Sequence, residues 1–261
     1  MGGRMETAVS RDGTRIAFDT SGSGPPLVVI NGALSERSAA LGPYLDPHFT
    51  VVAYDRRGRG ASGDTPPYAP ERELEDLAAV IEAAGAPAFV FGQSSGGILG
   101  LRAAMSGLPI RRLAVNEPPF IMPGTRPPPP ADVPARLEAL VAAGDRDGAL
   151  RVFLGEQVGL PAPVLQQMSA GPMWPRALAM AHTAAYDTAI AGADGVPAAA
   201  LATVTTKTLV LWGGASFPWI NETARVVAKA LPNAELVKLE GQTHSPAPDV
   251  LAPELVRFFL S

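Results

Sequence analysis

The chain has no cysteine among its 261 residues. That excludes disulfides, thiolate nucleophiles and cysteine-ligated metals, and it fits a reducing compartment. Histidine is scarce as well, so any imidazole chemistry must come from His48, His182 or His244. Positive charge is not in excess: 21 Lys and Arg stand against 25 Asp and Glu, a net −4, which leaves no electrostatic footprint for nucleic acid. There is no lysine-rich amphipathic stretch, and no apolar run approaches the ~18 residues of a membrane span, so no membrane partner is expected. Residues 1–6 (MGGRME) lack the apolar core of a signal peptide, and Glu6 stands where a myristoylation signal needs Ser or Thr. A soluble, cytoplasmic protein is the expectation. No internal repeat is visible.

What is there is a chain able to bury a large core, with 47% hydrophobic and 18% charged residues. Short apolar runs alternate with helical patterns, which predicts a mostly parallel sheet with helices on both faces. An antiparallel hairpin is expected over 7–10 and 14–19, across Asp12-Gly13. Strands are expected at 26–31 (PLVVIN), 49–54 (FTVVAY), 88–92 (AFVFG), 112–116, 208–212 and 235–239. Helical spacing falls at 71–84, 95–105, 222–230 and 250–259. About ninety residues between Asn116 and Thr208 carry no strand pattern, and a structureless loop of that length is implausible in a compact domain. Helical stretches at 135–143, 147–157 and 174–191 predict a helical cap. The expected organisation is a core of 1–120 and 205–261 with a cap at 121–204, entered through the stiff proline run 127–130.

The segment Gly92-Gln93-Ser94-Ser95-Gly96-Gly97 follows the AFVF strand and opens a helix. A sharp strand-to-helix turn holds the residue at its apex in a strained conformation with its side chain clear of the sheet. Ser94 is at that apex and Ser95 is one residue past it. A serine hydroxyl is a weak nucleophile at neutral pH and needs a base to take its proton. His244, in Gly241-Gln242-Thr243-His244, lies just past the last strand, where loops at the carboxyl ends of parallel strands converge on one crevice. His48 falls at a surface turn and His182 in the cap.

The acid is less direct. Gly213-Gly214-Ala215-Ser216-Phe217-Pro218 has no carboxylate until Glu222, whose place in the first turn of a helix is accounted for by the helix dipole. Glu117, in Asn116-Glu117-Pro118-Pro119, sits at the carboxyl end of the strand after the nucleophile helix and faces the same crevice. A carboxylate there can fix the histidine tautomer and stabilise the imidazolium. For an oxyanion, Ser95 N–H lies at a helix start, and Asn31-Gly32-Ala33 offers a second donor, Ala33 N–H first and Gly32 N–H second.

These landmarks, with the Asp55-Arg56-Arg57-Gly58-Arg59-Gly60 turn, resemble the α/β-hydrolase superfamily over essentially the whole chain. The resemblance implies the α/β-hydrolase fold with a helical cap, and a structural role for the arginine-rich turn. The position of Glu117 and the paired serines resemble zearalenone-type lactonases, as does the Gly213–Ser216 stretch without its aspartate. Some haloalkane dehalogenases share the acid position but use an aspartate nucleophile. The lactonase resemblance also implies substrate contact at Trp174. Asn31, Gln93 and the cap sequence depart from the lactonase pattern. A pocket wall of Trp174, Met173, Phe217, Pro218 and Trp219 is expected, suited to a hydrophobic small-molecule ester or lactone. No charged residue in the sequence marks a charged substrate. The reaction needs no cofactor and no metal, and a homodimer is left open. The same constellation also serves carbon–carbon bond hydrolysis, perhydrolysis or natural-product cyclisation, and a ligand receptor retaining the pocket is the non-enzymatic alternative.

Overall fold

The computed structural model describes residues 4–122, 124–192, 195 and 197–261. Eight strands form one sheet in the order β1-β2-β4-β3-β5-β6-β7-β8. They are β1 (Arg4–Val9), β2 (Arg15–Gly22), β3 (Pro26–Ile30), β4 (Thr50–Tyr54), β5 (Ala88–Gln93), β6 (Ile110–Asn116), β7 (Thr208–Gly213) and β8 (Ala234–Leu239). β1 and β2 pair antiparallel, as does β2 with β4, and every later pairing is parallel. The hairpin is longer than the sequence pattern predicts because its outer residues pair through the backbone, whatever their polarity.

The central strands read as unbroken apolar runs because both faces are covered. Along β3, Val28 and Ile30 join one core while Leu27 and Val29 join the other. The first core receives Leu77, Val80 and Ile81 of α2 (Pro70–Ala84), Ile98 and Leu101 of α3 (Ser95–Met105) and Val227 of α10 (Pro218–Ala230). The second is closed by Leu45 of the short α1 (Gly42–Leu45) and by Leu251, Leu255, Phe258 and Phe259 of α11 (Pro248–Leu260). Helices α2, α10 and α11 each begin with proline, whose missing N–H costs nothing in a first turn. This is why α10 begins at Pro218, four residues before the apolar periodicity suggests.

Between β6 and β7 lie α4 (Val133–Ala142), α5 (Arg146–Val152), a π-helical turn (Phe153–Gln157), α6 (Ala162–Ser169), α7 (Trp174–Ala179), a 3₁₀ turn (Ala181–Thr183), α8 (Ala184–Ala191) and α9 (Ala198–Leu201). The sequence reads 174–191 as one helix, but the 3₁₀ turn divides it. This insertion has its own apolar cluster, which includes Val133, Leu137, Leu150, Phe153 and Trp174, with Ala33 and Leu34 packed against it. Among the described residues no helix is long and apolar enough to cross a membrane.

Candidate active site

The chain leaves β5 at Gln93 and enters α3 at Ser95, so Ser94 alone makes the turn. Its φ of 55° and ψ of −123° lie outside the regions favoured by L-residues. The turn is held because Ser94 N–H donates to Asn116 O at 2.9 Å and Gly97 N–H donates back to Ser94 O at 2.8 Å. Its tightness explains Gly96, where a Cβ would stand 2.3 Å from Ile30 O.

Glu117 follows β6 with a positive φ of 47° and is fully buried. Its N–H extends the ladder to Leu211 O at 3.0 Å. One carboxylate oxygen accepts from Gly213 N–H at 2.7 Å, and the other accepts from Ser216 Oγ at 2.9 Å and lies 2.6 Å from His244 Nδ1. A buried carboxylate needs hydrogen-bond partners in place of its lost water, and here three groups surround it. The Gly213–Ser216 stretch, which lacks an acid of its own, supplies two of these partners for Glu117. Glu222 is exposed on α10, where it pairs with Arg225 at 3.5 Å.

The His244 loop is fixed at both ends. Its backbone carbonyl accepts from Gln93 Nε2 at 2.8 Å and Asn116 Nδ2 at 3.3 Å, and Asn116 also donates to Gln93 Oε1 at 3.0 Å. The loop lies so close to β7 that a Cβ on Gly213 would be 2.4 Å from Gln242 O. Sequence reasoning missed Gln93, Asn116 and Ser216 as positioning groups. The amides flanking Ser94 and Glu117 in the chain were the available signal. His48 is exposed, and His182 sits in the insertion, where burial pushes its pKa down.

Ser94, Ser95, Ala33 and His244 line one cavity of about 370 Å³. Among the described residues neither Ser95 N–H nor Ala33 N–H donates to a protein acceptor. Gly32 O accepts from Arg59 Nη1 at 2.8 Å, and in a trans peptide the N–H of the next residue points the opposite way. Arg59 thus orients Ala33 N–H. A Cβ on Gly32 would meet Ser94 Cβ at 3.0 Å, so this loop presses directly on the elbow.

Beneath it, Arg56, Arg59, Glu73 and Asp187 form a buried ion network. Arg56 holds Glu73 at 2.6 Å, Asp187 at 2.9 Å and Ser95 Oγ at 3.1 Å, and Arg59 holds Asp187 at 2.6 Å. Asp187 belongs to α8, so the network ties the insertion to the elbow.

The walls are mostly apolar, with Pro119, Ile121, Phe153, Val158, Phe217 and Trp219 among them. Phe217 and Trp219 therefore lie where the sequence suggests. Trp174 and Met173 do not. Trp174 is buried in the core of the insertion and donates from Nε1 to Asp147 at 2.9 Å, while Met173 is 60% exposed. The start of α7 turns its apolar ring toward α5, away from the cavity. Two lining groups that the sequence did not point to are Arg126 and the π turn with its following residues 158–160.

The apex serine at the carboxyl edge of the parallel sheet and the histidine paired with a buried glutamate line one cavity, and groups of these types can carry out nucleophilic acyl chemistry. Fold and site together define an α/β protein of the hydrolase type. Residues 27–256 match the Alpha/beta hydrolase family, and the chain belongs to that family. It is 56% identical to an alpha/beta hydrolase from Sphaerobacter thermophilus, with a TM-score of 0.93 over 97% of this chain and 100% of that one. A hydrolase from Pseudomonas aeruginosa is 25% identical, with a TM-score of 0.77 over 99% of both chains. The uncharacterized hydrolase YraK of Bacillus subtilis is 32% identical over 95 residues, which span 34% of this chain and 35% of that protein.

Proposed function

We propose that the protein is a serine hydrolase that cleaves a carboxylic ester or lactone of a small, largely apolar molecule through an acyl-enzyme. The observation that carries this reading is the 2.6 Å pair between His244 Nδ1 and the buried Glu117 carboxylate, beside a cavity that Ser94 also lines. With its Nδ1 proton committed to Glu117, the neutral imidazole presents a bare Nε2 as general base.

Ser94 Oγ attacks the carbonyl carbon as its proton passes to His244. The charge that develops on the carbonyl oxygen is met by the N–H groups of Ser95 and Ala33. The imidazolium then returns the proton to the leaving alkoxide, and the acyl group stays on Ser94. Water, deprotonated by the same histidine, releases the acid and restores the serine. Losing one oxyanion donor costs ~2.7–4 kcal/mol of transition-state stabilisation where it has been measured. The apolar walls suit the substrate body, and the family membership and the 56%-identical alpha/beta hydrolase support a hydrolytic reaction.

The test is a panel of p-nitrophenyl esters and macrolactones, combined with an alkyl fluorophosphonate and intact-protein mass spectrometry. Turnover of at least one ester, with a phosphonyl adduct on Ser94 that is lost in Ser94→Ala, supports the assignment. Undiminished hydrolysis by purified Ser94→Ala would end it.

A further inference from the structure

Among the described residues, three ionisable side chains line the cavity: His244, Asp187 and Arg126. Two are answered. His244 faces Glu117, and Asp187 is held by Arg56 and Arg59. Arg126 is not: among the described residues its hydrogen-bond partners are backbone carbonyls, and no carboxylate is paired with it.

Its guanidinium donates instead to the backbone carbonyls of Gln157 and Val158 and covers the Trp219 ring at 4.6 Å. Those bonds use two of its five N–H groups, and Nε is buried without an acceptor. Space is reserved for this group: Gly159 has a φ of 82°, and a Cβ there would stand 2.6 Å from Arg126 Nη1. Burial pulls the Arg126 pKa down. That is the direction expected for a cation moved out of water with no counter-charge.

A purely structural cation clamping the end of the π turn has no reason to face the substrate cavity, where solvent is replaced by apolar walls. We propose that Arg126 is a specificity-determining residue that binds a carboxylate on the substrate. The substrate class is then an ester or lactone with an apolar body and a free carboxylate at the end remote from the reacting carbonyl. The planar fork of a guanidinium matches a carboxylate in two parallel hydrogen bonds, and Trp219 holds that fork flat. This assignment rests on the serine-hydrolase reading for its reaction but not for its binding step.

The probes are the monomethyl half-esters of succinic, glutaric, adipic and suberic acids, each compared with its dimethyl diester. They are titrated calorimetrically into Ser94→Ala protein, which cannot turn them over. The expected result is that the best-fitting half-ester binds at least about tenfold more tightly than its diester. Arg126→Met in the same background erases that preference, and Arg126→Lys keeps part of it. The proposal is overturned if no half-ester binds better than its diester, or if the preference survives Arg126→Met. Should Arg126→Met fail to fold, the half-ester and diester comparison in Ser94→Ala and in Arg126→Lys still decides. Wild-type kinetics separate the two readings. Binding of a half-ester without its hydrolysis defeats the esterase reading and leaves the carboxylate site standing. Hydrolysis of diesters with no preference for half-esters does the reverse.

Discussion

The side chains around Ser94 are positioned by backbone and side-chain groups from several strand ends. Glu117 receives hydrogen bonds from Gly213 N–H and Ser216 Oγ as well as facing His244. Glu117→Gln puts an amide among these donors and removes the preference for one imidazole tautomer. The expected loss in kcat is about 10⁴-fold, as where the analogous change has been made, measured by initial rates at saturating ester. The two tryptophans of the expected pocket wall separate just as clearly. Trp174→Phe loses the bond to Asp147 and is expected to lower stability by about 1 kcal/mol, with KM unchanged. Trp219→Ala strips a cavity wall, so its KM rises. Thermal melts and Michaelis plots on both variants check the contrast, and a raised KM in Trp174→Phe would return that ring to the substrate.

On the proposed mechanism, the packing of loops against strand ends matters as much as Ser94, His244 and Glu117 themselves. The loop that carries His244 rests on β7 at Gly213. Gly213→Ala drives a Cβ into the carbonyls of Gln242 and Thr243, 2.4 and 2.6 Å away, and backbone cannot yield as a side-chain tip does. The loop must lift, and His244 goes with it. The expected outcome is a fall in kcat of about 10²-fold, the scale of loss from a misplacement near 1 Å, with a smaller effect on the melting temperature. A crystal structure of the variant with His244 unmoved and activity intact would contradict this account.

The insertion and the sheet are joined through Asp187, whose buried carboxylate pairs with two arginines of the turn after β4 and, with Glu73, balances their charge. Burial pushes its pKa up, but Arg59 and Arg56 more than offset this and hold it below the usual carboxylate range. A carboxyl depressed in the folded state contributes stability that is fully present above its unfolded pKa of ~3.9 and is lost as pH falls through the folded value. Asp187→Ala leaves the arginines short of a counter-charge in a buried site, at a cost of ~3–5 kcal/mol. The gap in melting temperature between wild type and variant is therefore expected to be wide at pH 7 and to close as the pH is taken below about 4. Calorimetry across that range tests it, and a gap that widens in acid would reverse the sign of the argument.

Local patterns are legible in the chain because their causes are local. A strand run, a Gly-x-Ser-x-Gly turn and the helical run after it specify the elbow at Ser94. The absence of an acid in Gly213–Ser216 directs attention to Glu117, and the loop after the last strand presents His244. Parallel strands bury both faces, so the order of short apolar runs was enough to indicate the sheet. The inner face of the insertion was not legible, because it depends on how eight short helical segments fold over the sheet edge. Nothing near Trp174 in sequence says that its ring turns toward α5, nor that Arg126 reaches the carbonyls after the π turn. The clamp of Gln93 and Asn116 on the His244 carbonyl joins residues up to 151 positions apart. Only tertiary packing could decide these contacts, because each is made by groups that local sequence preferences do not bring together.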